Sequence, residues 1–180
     1  MPAPAKKAAM TTTEIVALLE KEFPEAFFPG SGLSIEKVAY GDIRVRKAFH
    51  ADHLRPGGTI SGPTMMELAD FAMYVAVFSA VGPQPLAVTT NLNINFLRKP
   101  GQADLLADAR LMKVGKRLAV GEVTARPLGN TEEPVMPPPV LLSLSLLPPP
   151  LKQPDTPNIA AARVERRNIF LFMDDLFLEM

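Results

Sequence analysis

The sequence predicts an α+β layer, an antiparallel sheet with one buried helix lying on it. Three observations predict it. Residues 65–81, MMELADFAMYVAVFSAV, form a helix-length run that is apolar almost all round, and such a helix belongs in a core. Strand-like segments bounded by turn residues flank it, two before and a longer series after. The chain has 180 residues, enough for one domain with a proper core.

Residues 1–10 (MPAPAKKAAM) read as a flexible leader. Thr11 to Thr13 suit the cap of a short helix, with Glu14 in its first turn and Ile15, Val16, Leu18, Leu19 and Phe23 as apolar positions. Pro24 ends it. Leu33–Ala39 and Ile43–Phe49 read as strands around a Tyr40-Gly41-Asp42 turn. A loop follows over residues 50–62, and the long helix runs from about Pro63 to Ala80. Pro63 suits the first turn, where its missing N–H costs nothing, and Gly82-Pro83 stops the helix.

Ala87–Phe96 alternates, with Thr90, Leu92, Ile94 and Phe96 on one face and Thr89, Asn91, Asn93 and Asn95 on the other. Ala103–Val114 and Arg117–Arg126 flank Gly115-Lys116, a tight-turn signal. Ten of the 19 prolines fall between Pro127 and Pro157, and Met136-Pro137-Pro138-Pro139 interrupts the pattern before a final strand over Val140–Leu147. The expected domain therefore covers residues 11–147. Residues 148–180 read as a Pro-rich linker and an atypical hydrophobic tail, helical over Ile159–Met180. The abrupt change in composition also fits a frameshifted or extended end.

Composition excludes several function classes. Lys+Arg and Asp+Glu both number 19, so the net charge is zero, against the basic footprint of nucleic-acid binding. The absence of Cys removes disulfides, thiolate catalysis and Cys-based zinc sites. With His50 and His53 as the two histidines, no metal site is expected. The 17-residue apolar run carries Glu67 and Asp70 in its first half and falls short of the ~20 apolar residues of a membrane span. No basic segment followed by an apolar one marks a signal peptide. A cytoplasmic protein with neither nucleic-acid nor membrane partners is the expectation.

The candidate site lies where the loop Pro-Gly-Gly-Thr-Ile-Ser-Gly-Pro, residues 56–63, runs into the long helix. A carboxylate in an apolar helix costs desolvation unless it is paired, hydrogen-bonded or used. Asp70 is thus either a structural acceptor or a chemical group. Glu67 is an alternative carboxylate or an ordinary residue near the helix start. Gly57 and Gly58 read as turn residues, His53 as a loop histidine, and Asn91, Asn93 and Asn95 as a polar sheet face or subunit contact.

The succession GGTISGPTMMELAD, AVTTNLNINFLRKP and ADARLMKVGKRLAVGEV resembles the hotdog-fold acyl-CoA thioesterases of the phenylacetate-pathway (PaaI) type, over roughly residues 33–147. The resemblance implies a long central helix wrapped by a curved antiparallel sheet of about five to six strands. It also implies a homodimer or homotetramer with active sites at the dimer interface. The family's His-Gly-Gly before the helix stands here as Ser61-Gly62-Pro63, its helix carboxylate falls on Asp70, an Asn of some members on Arg55, and a Ser or Thr of the following strand on Thr89.

In that reading the Gly62 amide polarises the thioester carbonyl, because a helix N-terminus offers free N–H groups and positive potential and glycine admits close approach. Asp70 acts as general base or nucleophile, facing Gly62 of the other subunit, and Thr89 orients water. Ser61, Arg55, Glu67, Met66 and Phe71 are candidates for substrate contact. Arg98, Lys99, Lys116 and Arg117, at strand ends, suit the phosphates of coenzyme A, or are solvated hairpin ends. Coenzyme A belongs to the substrate, so no separate cofactor is expected. Aromatic or medium-chain acyl groups are the expected substrates. A non-catalytic acyl-CoA-binding protein, a hydratase or dehydratase, and an interaction protein using the tail remain alternatives.

Overall fold

The computed structural model of the chain describes residues 6–129 and 134–146. The linker and tail expected over residues 148–180 lie outside the described residues. The first element is α1 (Thr12–Glu22), opened by a capping box: the Thr11 hydroxyl accepts from the Glu14 amide and the Glu14 carboxylate accepts from the Thr11 amide. Its buried face is Ile15 and Leu19. Then come β1 (Leu33–Ala39), β2 (Asp42–Lys47), a 3-10 turn (Ala51–His53) and a two-stranded ribbon of β3 (Leu54–Arg55) and β4 (Thr59–Ile60). The long helix is α2 (Gly62–Val81), followed by β5 (Val88–Asn93), β6 (Leu105–Val114), β7 (Leu118–Pro127) and β8 (Met136–Ser145).

Six strands form one antiparallel sheet in the order β1-β2-β6-β7-β8-β5, and α2 packs on it chiefly through β2, β6 and β7. This is the long helix on a six-stranded antiparallel sheet that the hotdog fold requires. Helix α2 has 20 residues and is long and apolar enough to cross a bilayer, yet 61% of its apolar window is buried within the molecule. It is a core helix, enclosed because most of its faces are apolar.

Helix and sheet approach each other closely at Gly121 on β7. A Cβ there would lie 2.7 Å from Met73 Sδ and 2.8 Å from the Arg110 carbonyl oxygen. At the helix's other end, buried Ser79 accepts from the Gly41 amide at 2.9 Å and donates to the Ala76 carbonyl at 2.7 Å. That tie fixes the β1–β2 turn against α2. Helix α2 stops at Gly82, whose φ of 84° is left-handed and whose N–H returns to the Phe78 carbonyl at 3.0 Å.

Four expectations are corrected. The leader expected over residues 1–10 is held from Lys6 onward: Lys6 sits 5.1 Å from the Tyr40 ring centroid, the Ala9 N–H donates to the Ser79 carbonyl at 2.7 Å, and Met10 is buried. The strand expected over Ala87–Phe96 ends at Asn93. The last strand begins at Met136 rather than after the prolines. Its register with β7 jumps from Met136 opposite Ala125 to Val140 opposite Val123, and its pairing with β5 reaches only Leu141. Pro137–Pro139 thus occupy a bulge, where a missing N–H breaks no ladder bond. The fourth correction, in the faces of β5, concerns the site and is given below.

On the sheet face away from α2, Asp108 accepts from Arg44 and Arg126, each at 2.6 Å, and Asp104 accepts from Arg46 and from the Phe49 amide. Both carboxyls are held below their ordinary value of 3.8. For Asp104 the Phe49 N–H is the main cause and Arg46 the next. For Asp108 burial pushes upward, but the bonds from Arg44 and Arg126 outweigh it.

Two predictions follow from this packing. Gly121→Ala is expected to lower stability by about 1–3 kcal/mol, because Met73 can rotate away but the Arg110 backbone cannot; the denaturation midpoint reads it. A carboxyl with a depressed folded pKa contributes stability that is complete above its unfolded value and lost as pH falls through the folded one. Thermal stability should therefore fall as pH drops through and below the ordinary carboxyl value of 3.8, and Asp108→Asn should flatten that acid limb.

Candidate active site

The start of α2 is built so that one backbone donor is left over. Four N–H groups at a helix N-terminus have no partner within the helix. Here the Ser61 N–H donates to the His53 carbonyl at 2.8 Å, and the Ser61 hydroxyl caps the helix by accepting from the Thr64 amide at 3.4 Å. The Met65 N–H returns to the Ser61 carbonyl at 3.3 Å, and Pro63 has no N–H. Among the described residues the Gly62 N–H has no acceptor. Gly62 lines a cavity of about 310 Å³ together with Arg55, Met65, Phe96, Arg98 and Lys99. The Phe96 ring lies 3.8 Å from where a Cβ on Gly62 would sit, ordinary contact distance. Gly57 and Gly58 hold φ of 96° and 71°, as turn residues do. His53 is also structural: its Nδ1 accepts from the His50 amide at 3.1 Å, and burial, then the Lys47 charge, holds its pKa below 6.5.

The carboxylate lies further along the same helix. Asp70 is half-buried, and the Thr89 hydroxyl of β5 donates to its Oδ1. The bulge in β5 explains that contact. Thr89 pairs with Leu144 and Asn91 with Ser143, so Thr90 is an extra residue and the alternation slips by one. Thr89 consequently faces the same way as Leu92: both line a cleft of about 280 Å³ with Met66, Glu67 and Asp70. The expected sharing of a face by Thr89 with Asn91, Asn93 and Asn95 is corrected by this bulge. Those asparagines are exposed.

Sequence reasoning missed Lys47. Its side chain is 7% exposed, and its Nζ lies 2.7 Å from Glu67 Oε1, the Glu67 side chain being 48% exposed. The signal was available: Ile43, Val45 and Lys47 share one face of β2 by strict alternation, the face that is buried. A buried ammonium needs an anion, so Glu67 is committed to Lys47. Asp70 has no cation partner among the described residues and faces the cavity.

The remaining candidates separate into groups. Met66 lies on the cleft with Asp70 and Thr89, and Phe71 on an adjoining cavity of about 380 Å³. Arg55, whose Nε donates to Thr59 Oγ1 at 3.0 Å, stands with Arg98 and Lys99 around Gly62. Lys116 and Arg117 do not join them. They sit at the β6–β7 turn, at the far end of the 10-residue strand β6, about 30 Å from its start at ~3.4 Å per residue. The two chemical halves are also apart: Gly62 and Asp70 are separated by eight helical positions, about 12 Å at 1.5 Å per residue.

Comparison with known proteins gives a consistent family. The thioesterase superfamily model matches residues 57–133. A protein of Silicibacter sp. TM1040, described as a thioesterase, is 38% identical with a TM-score of 0.70, covering 81% of this chain and 97% of that one. The phenylacetic acid degradation protein PaaI of Thermus thermophilus, in a mutant form, is 28% identical with a TM-score of 0.50, covering 63% of this chain and 90% of that one. A Halobacterium salinarum protein named as an esterase is 35% identical over 99 residues, 52% of this chain; the match spans 64% of that protein.

Glu67→Gln should strand the Lys47 ammonium. The expected loss is about 1–2 kcal/mol, below the 3–5 of a fully buried pair because Glu67 is half exposed. The double variant Lys47→Met/Glu67→Gln, with no buried charge left, should regain most of it in a denaturant titration.

Proposed function

We propose that the chain, which belongs to the thioesterase superfamily, hydrolyses an acyl-CoA with an aromatic or medium-chain acyl group to free acid and coenzyme A. The observation that carries this reading is the pairing of a leftover helix-start N–H at Gly62 with a cavity-facing carboxylate at Asp70. A thioester needs its carbonyl oxygen polarised and its carbon attacked, and these two groups supply both. Held about 12 Å apart on one helix, they cannot act on the same carbonyl within one copy. The reading therefore requires two copies arranged so that Asp70 of one faces Gly62 of the other. Edge strand β5, with Val88, Thr89, Thr90, Asn91 and Asn93 exposed, offers the pairing surface.

Asp70 takes a proton from water as the oxygen adds to the thioester carbon. The negative charge moves to the carbonyl oxygen and is met by the Gly62 N–H, a type of donor worth about 10²–10³ in kcat. Collapse breaks the C–S bond, and the proton held by Asp70 goes to the departing thiolate. Thr89, donating to Asp70 Oδ1, fixes the carboxylate so that its other oxygen faces the water. Arg55, Arg98 and Lys99 lie close to Gly62 and suit the phosphates of coenzyme A. Ser61, in the place of the family's His, is used as a cap and supports the oxyanion site by holding the helix start. Coenzyme A enters as substrate, and the mechanism uses no other cofactor.

Thiol release from acetyl-, hexanoyl-, phenylacetyl- and palmitoyl-CoA tests the reading. Turnover by the wild type and a loss of about 10²–10⁴ in kcat for a folded Asp70→Asn variant are expected. Silence of the wild type across the panel, with saturable acyl-CoA stabilisation retained, would make this a binding protein instead.

A further inference from the structure

The cavity beside Asp70 has a feature that the hydrolytic reading does not use: its far wall comes from α1. Leu19, Phe23, Ala26 and Phe27 of α1 and the chain after it close a space of about 380 Å³ over Phe71 and Tyr74 of α2. The rings are fixed against one another. Phe27 stacks on Phe71 with centroids 5.6 Å apart and 11° between planes, and Phe23 meets Tyr74 edge-on at 5.1 Å. The polar residues Glu67, Asp70 and Thr89 are shared with the adjoining cleft. Of these, Glu67 is taken by Lys47. The Tyr74 hydroxyl donates to the Pro85 carbonyl at 2.6 Å, and burial, then the Asp70 charge, pushes its pKa up. It stays neutral and occupied.

We propose that this cavity is the acyl pocket and that Phe23 and Phe27 set the upper limit of acyl size. The inference rests on the reading of Asp70 as the reacting carboxylate. A carbonyl placed at Asp70 directs its acyl tail along Phe71 into the space under α1. The volume is at the small end of the ~300–1,000 Å³ range of ligand sites, so it takes an acyl group and leaves coenzyme A outside. Its apolar walls select neutral acyl groups. An acyl chain ending in a second carboxylate would bury that charge without a partner. Aromatic rings and unbranched medium chains fit; long chains meet the Phe23–Phe27 wall.

The test uses S-alkyl-CoA thioethers, which cannot be hydrolysed, beside the corresponding acyl-CoA substrates, with wild type, Phe27→Leu and Ala26→Phe. Ala26 lines the cavity from an exposed position, so its enlargement narrows the pocket without entering the core. In the wild type the Kd of the thioethers should fall about fourfold per added methylene up to a break in the medium-chain range. Ala26→Phe should move the break to shorter chains and Phe27→Leu to longer ones. Affinity independent of chain length, or a break unmoved in both variants, would overturn the acyl-pocket assignment. Length-dependent binding without thiol release from any acyl-CoA would leave the pocket standing and overturn only the hydrolytic reading.

Discussion

The rest of the structure depends on the enclosure of α2. Helix α2 is apolar on nearly every side, so it is stable only when covered on nearly every side. Strands β2, β6 and β7 cover most of it, and the close contact at Gly121 requires glycine, since any side chain there would collide with Met73 or the Arg110 backbone. What the sheet leaves uncovered is a stripe of Pro63, the adjacent pair Met66 and Glu67, and Asp70, one turn to the next. The spacing makes them neighbours on one helix face. That stripe is the floor of the candidate site, and the folding requirement and the chemistry therefore meet on the same helix.

Two small backbone devices turn this face into something specific. At the helix start, Ser61 and Pro63 account for the neighbouring amides, by capping and by lacking a donor, so the remaining N–H is Gly62's. On the adjoining strand, one extra residue at Thr90 rotates Thr89 toward Asp70. Neither device involves a charged group. The charged group that does enter, Lys47, removes Glu67 from competition and leaves Asp70 as the carboxylate facing the cavity. In the proposed mechanism the helix rise then dictates the assembly: donor and carboxylate are too far apart to serve one carbonyl unless a second copy brings its own.

The parts legible in the sequence were those fixed by local rules. The capping box of Thr11 and Glu14, the Leu33–Ala39 strand and the Gly82 stop to α2 follow from neighbouring residues alone. Asp70 stood out as a carboxylate in an apolar helix for the same reason. Features set by pairing between distant strands were not legible. Alternation placed Thr89 with the asparagines because a bulge depends on the register with β8, which no local pattern records. Pro137–Pro139 looked like an interruption because a bulge that accommodates them is visible only beside β7. Lys116 and Arg117 were grouped with Arg98 and Lys99 by charge, whereas the strand between them holds the pairs at opposite ends. Lys47 was readable, since strict alternation puts it with Ile43 and Val45, and its pairing with Glu67 needed only that face to be taken seriously.

The central claim is that one site draws on two copies, Gly62 from one and Asp70 from the other. Subunit complementation measures this directly. Asp70→Asn and Gly62→Pro each remove one half of the site, and proline is well tolerated at the first helical position. Each variant alone should be inactive. An equal mixture refolded together should recover about a quarter of wild-type thioesterase activity, since half of randomly paired dimers carry both variants and each of those has one intact site of two. Heterodimers present by mass with no recovered activity would contradict the shared site.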